Sequence, residues 1–209
     1  MKSNALKIMH LIELIYDAAM QPEIWPEFAH DLCAVIPSTD ANIHFRNLVS
    51  SKVGASFSMT PPEILQIYFE RYHHINPYWL RGVVSDRTGR IARSHELIPP
   101  EEFEQTVFFR EFFHSLNLFH VINVTVLQEG DISGHLALSR AKDAGVYSDE
   151  ESQLLSVLLP HLQRAFRIGQ LLDGLRTERQ MIGNVLDKVP QGALIVNRTG
   201  HIIFTNQSA

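Results

Sequence analysis

The chain has 209 residues, 45% hydrophobic and 20% charged, which is enough for one domain with a real core and excludes a disordered tail. Its net charge of -5 argues against binding phosphate backbones, because Arg81, Arg87, Arg90 and Arg93 are interrupted by Asp86 and read as a solvated loop. A single cysteine, Cys33, excludes an internal disulfide and a thiolate zinc site.

Leu6, Met9, Ile12, Leu14, Ile15, Ala18 and Ala19 recur near a 3.6-residue period and predict an amphipathic helix over 4–20. Pro22 and Pro26 stand where a second helix would start, and Trp25, Phe28, Ala29, Leu32, Val35 and Ile36 give it one apolar face. Cys33 falls near that face, as a small buried hydrophobe rather than a reactive thiol. After the stop at Pro37-Ser38-Thr39-Asp40, residues 41–49 and 53–59 read as strands.

Thr60-Pro61-Pro62-Glu63 supplies a cap, a first-turn proline and an acid, so 61–72 is predicted helical until Asn76-Pro77 breaks it. Residues 78–100 read as mostly irregular, with a turn at 86–89. Pro99-Pro100-Glu101-Glu102 opens a helical stretch that carries Phe103, Val107, Phe108, Phe109, Phe112 and Phe113. Strands at 119–128 and 132–140 flank a Glu129-Gly130-Asp131 hairpin turn. Ser148 with Glu151 three residues later is a capping box at the head of a long helix. A final pair of short apolar runs, 193–197 and 201–205, is split by Arg-Thr-Gly and reads as a hairpin, a unit that is marginal alone. This order predicts an α+β fold: an antiparallel sheet with helices on one face and a loop-rich covering on the other.

No H-E-x-x-H, G-x-S-x-G, phosphate loop or dinucleotide glycine pattern is present, so no catalytic residue, metal site or cofactor is expected and the chain does not read as an enzyme. The aromatic residues carry more weight. Tyr68 and Tyr72 are one helical turn apart, Trp79 follows the Pro77 break, and Phe109 and Phe112 belong to the second aromatic helix. Alternation places Asn42, His44 and Arg46 on one strand face and Ser133, His135, Ala137 and Ser139 on another. Aromatic walls with His44, Arg46 and His135 as polar anchors would suit a small-molecule cavity, Arg46 being fitted to a carboxylate or phosphate. The competing reading is a filled aromatic core with the polar residues facing water.

Leu154, Leu158, His161, Ala165, Ile168, Leu172, Leu175, Arg179, Ile182, Leu186 and Val189 alternate spacings of three and four, a heptad seam. Pro160 implies a kink, and Gly174 and Gly183 weaken the helix. The first part is expected to pack as core. Ile168, Leu172, Leu175, Ile182 and Leu186 are expected to form a parallel homodimer interface.

Two segments resemble the GAF-like sensor domains of LuxR-type helix-turn-helix regulators. They are Ile15-Tyr16-Asp17-Ala18-Ala19 with Trp25-Pro26-Glu27-Phe28, and Tyr147-Ser148-Asp149-Glu150-Glu151 through Leu159-Pro160-His161-Leu162-Gln163-Arg164-Ala165. The last 20 residues, Pro190-Gln191-Gly192 onward, resemble the opening hairpin of a PAS domain. The resemblance implies a GAF-like sensor over 1–170, a coiled-coil linker over 171–189 and a truncated PAS-like start over 190–209. It further implies a longer parent protein whose DNA-binding helix-turn-helix is not in this chain. Tyr68, Tyr72, Asn76-Pro77 and Trp79 are also similar to the ligand-lining region of acyl-homoserine-lactone receptors. Asn76 stands where those receptors carry the Asp that grips the ligand amide, which argues against that ligand.

The resulting expectation is the ligand-sensing and dimerisation region of a bacterial-type transcriptional regulator. An unidentified small molecule and a second copy would be its partners, with no nucleic-acid contact by this region and no membrane partner. No apolar run approaches the ~20 residues of a membrane span and no leader pattern opens the chain, so a cytoplasmic location is expected. The rival expectation is a ligand-free structural dimerisation or protein-interaction module.

Overall fold

The computed structural model describes residues 2–47, 57–81, 87–130 and 132–209. The chain divides into two compact units, Met1–Phe166 and Arg167–Ala209.

In the first unit, helices α1 (Lys2–Met20) and α2 (Trp25–Val35) precede strands β1 (Asp40–Asn47) and β2 (Phe57–Ser58). Then come α3 (Pro62–Ile67), α4 (Pro77–Leu80), β3 (Ile91–Arg93), α5 (Ser94–Leu97) and α6 (Pro100–Gln105). The hairpin β4 (His120–Glu129) and β5 (Ile132–Arg140) follows, and α7 (Asp149–Leu186) begins in this unit and continues into the second. The five strands form an antiparallel sheet in the order β2-β1-β5-β4-β3.

The pleat sorts the strand residues between two clusters. Ala41, Ile43, Ile122, Val124, Leu136 and Leu138 face a helical layer of Leu11, Ile15, Phe28, Leu32, Leu155, Leu158, Leu162 and Phe166. Fully burying each of the larger side chains is worth about 1.5–3 kcal/mol, and this layer is the main source of stability. Trp25 packs its ring edge-on to Phe28 at 5.6 Å and against Phe166 at 5.4 Å. Cys33 is buried here with its Sγ 3.7 Å from Met59 Sδ, and burial pushes its thiol up to about 12, so it is an inert packing residue.

The head of α7 is fixed as the sequence predicts. Glu151 N donates to Ser148 Oγ (3.2 Å) and Ser148 N donates to a Glu151 carboxylate oxygen (2.6 Å), a reciprocal cap. His161, on the predicted seam, shares a 3.1 Å hydrogen bond with the Tyr16 hydroxyl of α1. The helix runs without interruption through Pro160.

One stretch departs from expectation. Residues 78–100 contain α4, β3 and α5 instead of being mostly irregular. β3 pairs only Ile91, Ala92 and Arg93 with Val124, Asn123 and Ile122. Three residues are too few to show an alternating pattern, so tertiary pairing decides the strand. The predicted strand positions 48–49 and 53–56 lie outside the described residues.

In the second unit, β6 (Leu194–Val196) and β7 (Ile202–Thr205) form an antiparallel hairpin. Asn197 Oδ1 accepts from Thr199 N and His201 N in its turn, and Gly200 takes φ +81, a left-handed angle that suits glycine. Asn206 ties the hairpin to the end of α7. Its Nδ2 donates to the carbonyls of Leu186 (3.0 Å) and Gln191 (2.9 Å), and its Oδ1 accepts from Ala193 N (2.7 Å).

Candidate functional site

The second face of the sheet is polar, and much of it is buried. Register aligns its residues in rows across β1, β5 and β4: Asn42, Ala137 and Asn123 in one row, His44, His135 and Thr125 in the next. Thr125 is 0% exposed, and Asn123, Ser133, His135 and Ser139 are also buried. Just past Thr125 the β4–β5 register shifts by a residue, a bulge of the kind that re-aims side chains beside functional sites. Arg46 lies on β1 opposite Ser133, with its side chain outside the described residues.

No charge sits in the central row. Burial, followed by the neighbouring His73, lowers the His44 imidazole to about 4, and burial followed by His44 lowers His135 to about 4. Both rings are therefore neutral at pH 7. His135 Nε2 and Ser133 Oγ share a hydrogen bond. Two further polar atoms, His44 Nδ1 and Thr125 Oγ1, are buried without a hydrogen-bond partner. Such an atom costs about 1–3 kcal/mol when left unmet, so two on one sheet face mark a place built for something else. At the β1 edge the polar groups are instead satisfied: Asn42 bonds Asp40 and Ser58, and Thr60 Oγ1 donates to Asp40 at 3.0 Å.

Over this face lies an aromatic cover from α3 through α6 and the turns that follow them. Phe112 stacks on Tyr68 (5.6 Å) and Tyr72 (4.9 Å), and Phe69 meets the His44 ring edge-on at 6.0 Å. Phe112 is buried, and Val121 and Ala137 of the sheet pack into the same cluster. Tyr68 to Tyr72 and Phe109 to Phe113 each form a π-helical turn, a distortion that recurs at functional positions.

Asn76 is spent on structure. Its Nδ2 donates to the Tyr68 hydroxyl (3.1 Å) and its Oδ1 accepts from Tyr78 N (3.0 Å) at the head of α4. Tyr78 in turn donates to the Phe119 carbonyl at 3.1 Å.

The sequence-derived residues thus fall into groups. Tyr68, Tyr72 and Phe112 form one stack, and His44 and His135 are direct cross-strand partners. Phe109 stands apart from that stack, against Phe103 (5.2 Å), Phe119 (5.4 Å) and His114 (5.8 Å). Trp79 belongs to α4, with its side chain outside the described residues. Phe69, Asn123 and Thr125 escaped the sequence reading. Asn123 and Thr125 alternate with Ile122, Val124 and Val126, and that alternation was the available signal. Among the described residues no three His, Cys, Asp or Glu side chains converge to hold a metal ion.

In the second unit Ile168, Leu175 and Ile182 are 39%, 54% and 51% exposed, while Leu172 and Leu186 are half-buried. Among the described residues no helix is long and apolar enough to cross a membrane.

Solved structures share this fold. The chain is similar to the ligand-binding domain of VqsR from Pseudomonas aeruginosa (15% identity, TM-score 0.58, covering 77% of this chain and 94% of that one). It is similar to the N-acylhomoserine lactone dependent LuxR family transcription factor CepR2 from Burkholderia cenocepacia (17% identity, TM-score 0.53, 76% and 92% covered). It is also similar to the GAF domain of a sensor histidine kinase from Pseudomonas syringae pv. tomato (13% identity, TM-score 0.50, 83% and 96% covered). No family model and no curated protein matches the sequence. At these identities the likeness establishes the fold: GAF-like, of the kind found in LuxR-family ligand-binding domains.

Proposed function

We propose that the chain is the ligand-sensing and dimerisation region of a transcriptional regulator, with DNA contact made by a helix-turn-helix outside these 209 residues. The observation that carries the sensing role is the polar row His44, His135 and Thr125, the last two of them buried, on the sheet face that the Tyr68, Tyr72 and Phe112 cluster covers, in a fold shared with ligand-binding domains. The small molecule sits between row and cover, in a site to which Trp79 and Arg46 contribute. Binding favours one arrangement of α7, and a parallel dimer through Ile168, Leu172, Leu175, Ile182 and Leu186 carries that bias onward. A ligand achieves this only through unequal affinity for two arrangements. CepR2 is dependent on N-acylhomoserine lactone. Here Asn76 is engaged by Tyr68 and Tyr78, which supports a different ligand.

A second reading, a ligand-free interaction module, is favoured by one observation: the Tyr68, Phe112 and Tyr72 rings already stack on one another. Thermal melting against fractionated bacterial small-molecule extract separates the two. Ligand at 100 times its Kd stabilises by about 2.7 kcal/mol, so sensing predicts a fraction that raises Tm for the wild type and not for Tyr72→Ala or Trp79→Ala. A fraction that stabilises all three proteins equally removes the site, and no active fraction favours the interaction module.

A further inference from the structure

We propose that a second copy of the chain meets α7 in parallel and in register along a face that alternates Ile168, Leu175 and Ile182 with Leu171, Glu178 and Val185, each Glu178 being held by the partner's Arg179. The inference rests on the dimerisation proposed above and adds its face, its register and the charges that select a second copy.

In chain order these six positions alternate spacings of three and four, a heptad seam of their own. Its apolar members are the open ones in a single copy. Leu171 is 66% and Val185 65% exposed, where Leu172 and Leu186 beside them are half-buried. The hairpin accounts for the difference at the end of the helix. Phe204 of β7 lies so close to α7 that a Cβ on Gly183 would stand 3.4 Å from its ring. At 3.6 residues per turn, Leu186 is about 60° round the helix from Gly183 and Val185 about 160°. The hairpin side of α7 therefore takes Leu186 and leaves Val185 open. Leu172 and Leu186 flank the seam, and Leu171 and Val185 fill it. Isoleucines at 168 and 182 alternating with Leu171 suit a pair of parallel helices.

Charge identifies what covers this face. Glu178 stands in the seam and Arg179 beside it, both exposed. A helix offers ion pairs to residues three and four apart, and at those distances Glu178 has Gly174, Leu175, Met181 and Ile182. Arg179 has Leu175, Arg176, Ile182 and Gly183. Neither charge finds its opposite there, and adjacent residues do not face each other. In a parallel, in-register pair each seam side chain enters a hole formed by four residues of the facing helix, and for Glu178 that hole includes the partner's Arg179. The two-fold axis repeats the contact, so the face is complementary to itself. Antiparallel packing would set Glu178 against an apolar seam position, and an unrelated apolar helix would leave it a desolvated charge without a partner.

The test is sedimentation of the whole protein with the two charges reversed singly and together. Glu178→Arg and Arg179→Glu each bring like charges together and are expected to raise the dimer dissociation constant about tenfold. The double reversal restores opposite pairing and is expected to return the constant to within about threefold of the wild type. Because positions 178 and 179 do not face each other within one helix, that recovery reads a contact between copies. Disulfide cross-linking fixes the register. Under mild oxidation Val185→Cys is expected to link two copies about tenfold faster than Leu186→Cys, since seam positions bring the sulfurs within bonding reach. Cys33 stays inert in its buried place. A double reversal as weak as the two single changes combined overturns the contact between Glu178 and the partner's Arg179. Faster linking through Leu186→Cys overturns the face, and both of these outcomes leave dimerisation intact. A wild type that sediments as a monomer removes the dimer itself, and this face with it.

Discussion

Arg140 holds both carboxylate oxygens of Glu151, at 2.7 and 3.2 Å, and so joins the last residue of β5 to the first turn of α7. The same guanidinium donates to the carbonyls of Pro37 (3.1 Å) and Gly145 (3.0 Å) and lies 3.9 Å over the Tyr147 ring. Its side chain is 7% exposed. Because Glu151 also completes the Ser148 cap, sheet, connecting loop and helix head share one polar junction. β5 carries His135, so this junction is a physical connection between the polar row and α7.

Arg140→Met leaves Glu151 with a partly buried charge and no guanidinium. Breaking one side of a buried pair costs about 3–5 kcal/mol, so the urea midpoint is expected to fall by that equivalent. Arg93→Met, whose pairs with Glu96 and Asp149 are more exposed, is expected to cost less than about 1 kcal/mol. Equal losses in the two variants would contradict the junction.

Acid should weaken the first unit through its polar row. The His44 and His135 imidazoles are lowered to about 4 in the fold, against about 6.5 when unfolded. Between those values the unfolded chain binds protons that the folded site refuses, so their stabilising effect is complete above pH 6.5 and declines as pH falls toward 4. His135 accounts for a loss of about 2 kcal/mol between pH 6.5 and 5, and the partly exposed His44 for less. Urea unfolding at the two pH values measures it, and His135→Gln should flatten the dependence.

Asn206→Leu is expected to free the terminal hairpin. The side chain serves the carbonyls of Leu186 and Gln191 and the amide of Ala193, and a leucine serves none of them. Amide hydrogen exchange at Ala193 should rise at least tenfold, with the amides of β4 and β5 unchanged.

The dimer proposed through α7 depends on apolar side chains that are exposed in one copy. Leu175→Asp with Ile182→Asp is expected to shift the protein to monomer in analytical ultracentrifugation, with the melting of the first unit retained. A dimer of undiminished affinity would place the interface elsewhere.

Much of this organisation was legible in the sequence. Periodicity located α1, α2 and the hairpin β4–β5, and the Ser148 and Glu151 spacing located the head of α7, because each signal is local and repeated. β3 was not legible, since its three residues owe their conformation to pairing with Ile122, Asn123 and Val124. The heptad pattern caught Leu158 and Ala165 but passed over Leu155 and Leu162, which also face the core. At the candidate site, His44 and His135 could be placed on faces by alternation. Their mutual opposition, and the position beside them of Thr125 with its unpartnered hydroxyl, depend on long-range register that no single strand encodes.

The most direct test of ligand sensing is native mass spectrometry of the protein as purified from cells, set against its denatured mass. The account predicts a non-covalent excess on each subunit that is lost on denaturation and reduced in Thr125→Val. Full occupancy retained in the combined His44→Phe and Thr125→Val variant would contradict the site. Native and denatured masses that agree in the wild type, across every growth condition, would contradict sensing itself.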